Sequence, residues 1–271
     1  MTALNWEQYN QLVALRSQGR ANESIMGLEE LLQQDIDPLS QALVLMEISN
    51  GLSRLQRYRD ARQKLMKASK LLGPNHEYYP RVAYHLALID MEEKNWRGAL
   101  NRFDDILESY AAILHMPDHD DLLEGTELNR AVALGKLGRY QEARPLLEEA
   151  RRNKQNRTII LSYLGACDFE LGHYDAAIEA YDELFSITGE PMDSVFRAQA
   201  HYHRGVMFFR RDQLARAKSE FEQCLACPDR GEIQNANLLG WLVDLSRKLG
   251  LDDDVKRYST LLSGSGQAGG E

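Results

Sequence analysis

The chain has 271 residues, 44% of them hydrophobic, enough to bury one substantial core or a run of smaller cores stacked side by side. Its 32 lysines and arginines face 41 aspartates and glutamates, a net charge of −9, so a nucleic-acid duplex or an anionic membrane surface is repelled on average. No stretch nears the roughly 18 apolar residues of a membrane span, and the start lacks a basic segment followed by an apolar one. Together with three cysteines, too few for a disulfide framework, this reads as a cytoplasmic chain with no membrane insertion and no nucleic-acid partner.

In chain order, one form recurs: an amphipathic run, a polar break, then a small residue and a second amphipathic run. It is seen in "LRSQGRANESIMGLEEL" (15–31), "LSRLQRYRDARQKLMKA" (52–68), "DMEEKNWRGALNRFDDI" (90–106) and "LGKLGRYQEARPLLEEA" (134–150). "DFELGHYDAAIEAYDEL" (168–184) and "FFRRDQLARAKSEFEQC" (208–224) continue it, and a degenerate "SRKLGLDDDVKRYSTLL" (246–262) ends it. Each unit predicts a helix hairpin. Apolar residues before the break recur at helical spacing, as in Ala83, Leu86, Ala87 and Ile89. The break holds Gly19, Gly138, Gly172 or Gly250 in four units, where a left-handed cap costs least. Ala61, Ala99, Ala143, Ala177 and Ala217 admit the neighbouring helix, and larger residues four positions on, such as Phe103, Tyr181 and Phe221, fill the space beside them. A single hairpin cannot bury its stripe, so hairpins must stack.

With "YLGACDFELGHYDAAIEAY" (163–181) and "HRGVMFFRRDQLARAKSEF" (203–221), the chain resembles the tetratricopeptide repeat (TPR) family over about residues 5–262. The resemblance implies an all-α, right-handed solenoid of about seven helix-turn-helix repeats. The Gly/Ser-rich end, 263–271, reads as a flexible tail. Residues Ser24, Ala61, Ala99, Ala143, Ala177, Ala217 and Val255 are 37, 38, 44, 34, 40 and 38 apart by subtraction. The family repeat is 34, so the excess is expected to lengthen second helices or the turns between repeats. In "YLGACDFEL", Asp168 stands where the family has an aromatic.

Three stretches suggest chemistry. "LHMPDHDDLLEG" (114–125) has metal-ligand residue types, but Pro117 breaks the helical register of His115 and His119, and its aspartates suit the start of a helix. "CLAC" (224–227) looks like a redox motif, yet it ends a second helix ahead of Pro228, and Cys224 takes a packing position. In "HYHRG" (201–205) the two histidines point to different helix faces and cannot share a metal ion. His201 is expected to pack against the adjacent repeat and His203 to reach the inner face. No metal, cofactor or catalytic residue is expected.

In this family the first helices line an inner groove. Carried over by alignment, the resemblance offers Asn50, Arg81, Tyr84, His85, Asn129, Tyr163, Phe169, Tyr202, His203, Phe209 and Arg210 as groove residues. Aromatics there supply desolvated area, and asparagine and arginine hold backbone or carboxylates. The chaperone-type carboxylate clamp is not expected, because Tyr9 and Val13 occupy its first-repeat positions. The reading is a non-enzymatic scaffold or adaptor for a protein or peptide segment. The alternatives are a regulatory receptor for a short signalling peptide or small ligand, and a metal- or thiol-dependent enzyme built on 114–125 or 224–227. The outer edge of the seventh repeat is a place for self-association.

Overall fold

The computed structural model describes residues 4–152, 156–187 and 192–265, and every regular element among them is helical. Two units follow one another, residues 1–139 and 140–271. The first holds α1 (Trp6–Ser17), α2 (Ala21–Leu31), α3 (Pro38–Arg54), α4 (Tyr58–Leu72), α5 (Tyr79–Glu92), α6 (Trp96–Ser109), α7 (Ala111–Leu114) and α8 (Asp120–Lys136). The second holds α9 (Tyr140–Ala150), α10 (Arg157–Glu170), α11 (Tyr174–Ser186), α12 (Ser194–Arg210), α13 (Leu214–Ala226), α14 (Asn235–Lys248) and α15 (Asp252–Ser265). Within each unit consecutive helices pair as hairpins and adjacent hairpins stack. No described helix is long and apolar enough to cross a membrane.

One turn chemistry is repeated. Gly19, Gln56, Lys94, Gly138, Gly172, Asp212 and Gly250 each sit at positive φ, between 57° and 78°. At Gly172, its own N–H donates to Phe169 O at 3.1 Å and the next N–H, of His173, donates to Asp168 O at 2.8 Å. Gln56 and Asp212 repeat the pattern, as Gln56 N–H to Ser53 O with Arg57 N–H to Leu52 O, and Asp212 N–H to Phe209 O with Gln213 N–H to Phe208 O. This Schellman geometry satisfies the last carbonyls of the first helix and starts the second helix at once. The glycine seen in four breaks is therefore a preference; backbone bonds hold the same conformation in Gln56, Lys94 and Asp212.

Five residues beyond each turn, Ser24, Ala61, Ala99, Ala143, Ala177 and Ala217 are buried, and Leu28, Leu65, Phe103, Leu147, Tyr181 and Phe221 follow with no exposure. The first helix must recede to admit them. A Cβ on Gly165 would lie 2.5 Å from Tyr181, and one on Gly205 would lie 2.7 Å from Phe221. In the degenerate last repeat Val255 is half-buried, and Tyr258 takes over as the buried aromatic.

The extra repeat length is only partly where it was expected. α4 is a lengthened second helix of 15 residues, but α3, α8 and α12 are first helices of 17. The longest interval holds α7 and a 3-10 turn, Pro117–His119, and buries Leu114 with Phe103 and Ile106. The expected tail begins as helix, since α15 runs to Ser265, and 266–271 lie outside the described residues.

Two buried carboxylates lock successive repeats. Asp168 is 1% exposed and accepts from Arg144 Nε at 2.6 Å, with His173 Nδ1 at 3.0 Å. Asp90 is its equivalent, accepting from Arg62 at 2.7 Å, Arg102 at 2.7 Å and Asn95 at 3.3 Å. Arg62 and Arg144 follow the small residue of the preceding second helix, so each Asp ties its own first helix to the repeat before it. Asp168 thus departs from the family's aromatic because a buried ion pair occupies that space.

The turns give a stability test. Relieving the left-handed strain in Gln56→Gly or Asp212→Gly should raise the unfolding free energy by about 0.5 kcal/mol, and Gly172→Ala should lower it by about 1 kcal/mol. Urea denaturation followed by circular dichroism measures both, with opposite signs expected.

Candidate functional site: the inner face of the first helices

The inner face follows a rule of position. In four places, two in each unit, a residue three before one turn comes near the residue nine before the next turn. In the second unit aromatics fill both places. Phe169 stacks flat on His203, 4.0 Å between ring centroids and 3° between planes, and Phe209 meets Trp241 edge-on at 4.9 Å. In the first unit an ion pair, Arg16 with Glu47, fills the first such place. The next holds Ser53 and His85, and Ser53 is too small to cover the ring.

A cleft of about 250 Å³ results, lined by Arg16, Asn50, Ser53, Arg54, His85, Leu88, Ile89 and Glu92. α1 supplies Arg16, α3 supplies Asn50, Ser53 and Arg54, and α5 the rest. Asn50 donates to Glu47 Oε1 at 3.4 Å, and exposed Arg54 reaches the Arg16 carbonyl at 3.5 Å. His85 Nδ1 is buried and has no hydrogen-bond partner. The cleft therefore offers an amide and a guanidinium beside the half-buried His85 ring, a set that can hold a backbone amide or a carboxylate.

The other sequence-predicted groove residues separate by what already holds them. Arg81 forms a two-pronged ion pair with Asp121, at 2.7 and 2.9 Å, and Asn129 donates to Tyr84 Oη at 2.9 Å, so these three join α5 to α8. Half-buried Tyr163 lies edge-on to Phe196 at 5.8 Å. Tyr202 packs against Phe221 at 5.7 Å, and exposed Arg210 reaches the Tyr174 hydroxyl. Phe169 and Phe209 are seals between repeats. His203 does not reach the inner face as expected. It is 7% exposed beneath Phe169, and Tyr181 Oη lies 2.6 Å from its Nδ1. Burial pushes the Tyr181 hydroxyl well up, so it keeps its proton in its hydrogen bond with the imidazole. His201 packs as expected, stacked on Phe185 at 4.6 Å with Glu220 at 2.7 Å. Sequence reasoning missed Arg16, Ser53 and Arg54. The signal was present in Ser53, a small residue where two other repeats carry Phe169 and Phe209.

The remaining chemistry-bearing stretches are built into the fold. Asp120 and Asp121 open α8, and His119 is buried beside Tyr78. Among the described residues no group of three or more His, Cys, Asp or Glu is placed to hold a metal ion. Burial pushes the Cys167 and Cys224 thiols up to about 12, and Cys227 upward too, so all three stay protonated at neutral pH.

The sequence model of the tetratricopeptide repeat family matches residues 128–188. The chain has a tetratricopeptide-repeat fold. Its TPR fold is shared with PilF of Pseudomonas aeruginosa, at a TM-score of 0.64 and 15% identity over 86% of this chain and 95% of that one. The apo quorum sensor NprR of B. thuringiensis is similar at 0.63 and 16%, over 96% and 81%. YrrB, described as a TPR protein with an unusual peptide-binding site, is similar at 0.51 and 17%, over 74% and 92%. No curated protein matches the sequence significantly.

The two buried histidines of this TPR chain give a pH test. Burial pushes His85 and His203 from the ordinary 6.5 down to about 4. Between those values the unfolded chain binds protons that the folded chain refuses, so stability falls as pH drops from 6.5 to 4 and this contribution levels off below. His203→Gln, whose amide can still hydrogen-bond Tyr181, should shrink the fall in melting temperature across that window. An unchanged fall would mean that His203 is not held neutral.

Proposed function

We propose that this TPR protein is a non-enzymatic scaffold that holds a peptide or protein segment along the inner faces of its first helices, with the Asn50–Arg54–His85 cleft as the anchor. The observation that carries the reading is the cleft itself. At the equivalent places in the second unit Phe169 covers His203 and Phe209 covers Trp241, whereas Ser53 leaves His85 open to a ligand. Asn50 and Arg54 beside His85 favour a segment presenting its backbone or a carboxylate. The fold shared with a TPR protein described as having a peptide-binding site, and with a quorum sensor, is consistent with this use of the surface.

Ser53→Phe tests the reading, because it should cap His85 as Phe169 caps His203. Binding to peptides selected from a displayed random library on the wild-type chain should fall at least about tenfold in Ser53→Phe and in Asn50→Ala. The melting temperature of Ser53→Phe should hold or rise. Undiminished binding in both variants would move the working surface elsewhere.

A further inference from the structure

α4 runs against the charge of the whole chain. It carries Arg59, Arg62, Lys64, Lys67 and Lys70 against one carboxylate, Asp60, in a protein of net charge −9. Arg62 is spent on Asp90 and Glu93, and Lys64 on Glu29 at 2.6 Å. Lys67 and Lys70 are exposed and have no ion pair among the described residues. They border a second cleft of about 420 Å³, lined by Leu32, Gln41, Leu45, Lys64, Lys67, Lys70 and Leu71. No carboxylate lines it, and it shares no residue with the inner-face cleft. Its apolar floor is Leu32 and Leu45, and Leu71 stays 38% exposed at the rim.

We propose that this α2–α3–α4 cleft is a second docking surface, and that it takes an acidic amphipathic helix of a partner protein. The occupant follows from complementarity. Leucine-sized side chains would bury against Leu32, Leu45 and Leu71, and carboxylates one helical turn apart would meet Lys67 and Lys70, themselves one turn apart on α4. A membrane surface fits less well. The site is concave, and its two free lysines fall short of the four to eight basic residues that hold an anionic bilayer. The surface lies apart from the inner face, so a chain using both could hold two partners at once.

The test uses the full chain and four probes: a helical Leu/Glu peptide, the same peptide with Gln for Glu, a Glu peptide lacking Leu, and vesicles containing phosphatidylserine. The Leu/Glu peptide should bind, by fluorescence anisotropy, roughly tenfold tighter than either peptide control. The double variant Lys67→Glu, Lys70→Glu should lose that preference while keeping its melting temperature, and should instead favour a Leu/Lys peptide. Equal binding of the Glu and Gln peptides, full binding without leucine, or an affinity unmoved by the charge reversal would overturn the proposal. So would vesicle binding through these lysines without peptide binding, or concentration-dependent dimerisation that the reversal abolishes.

Discussion

The contact that decides how each unit presents itself is the one between a residue three before a hairpin turn and a residue nine before the next. At four places within the units the shared turn geometry brings these two positions near one another, with different side chains at each. The side chains then set the result. Phe on His or Trp gives a sealed seam, Arg on Glu gives an ion pair, and Ser beside His leaves an opening. A fold made from repetition thus acquires a local site through one small side chain, with no change of backbone.

The same economy explains the buried charge. A carboxylate in a core is costly unless it is paired and its remaining lone pairs are satisfied. Asp90 and Asp168 meet that condition because the preceding second helix places an arginine after its small residue, and the residue following the turn adds a further contact. Each arginine is itself partly exposed, which lowers its own desolvation cost. Such pairs fix which hairpin sits beside which, something a uniform apolar stripe does poorly.

The hairpins were legible in the sequence because small and large residues recur in fixed relation to each break, and burial of Ala61, Ala99, Ala143, Ala177 and Ala217 follows that relation. The turns at Gln56, Lys94 and Asp212 were less legible, since backbone hydrogen bonds stabilise a conformation their side chains disfavour. The site was the least legible part. Alignment puts His85 and His203 at one repeat position, but their exposure depends on a residue of the preceding repeat, Ser53 or Phe169. Arg81, Tyr84 and Asn129 were expected at the groove from the repeat frame, whereas the pairing of Arg81 and Tyr84 with Asp121 and Asn129 on α8 required the path of the 44-residue interval.

The most direct measurement of this account is a double-mutant cycle on Phe169 and His203, using alanine at each and both, read by chemical denaturation. A stacked aromatic pair sealing two repeats predicts a coupling energy of about 0.5–1.5 kcal/mol. Additive losses, with no coupling, would contradict the claim that this contact closes the inner face in the second unit and that its absence opens it at Ser53.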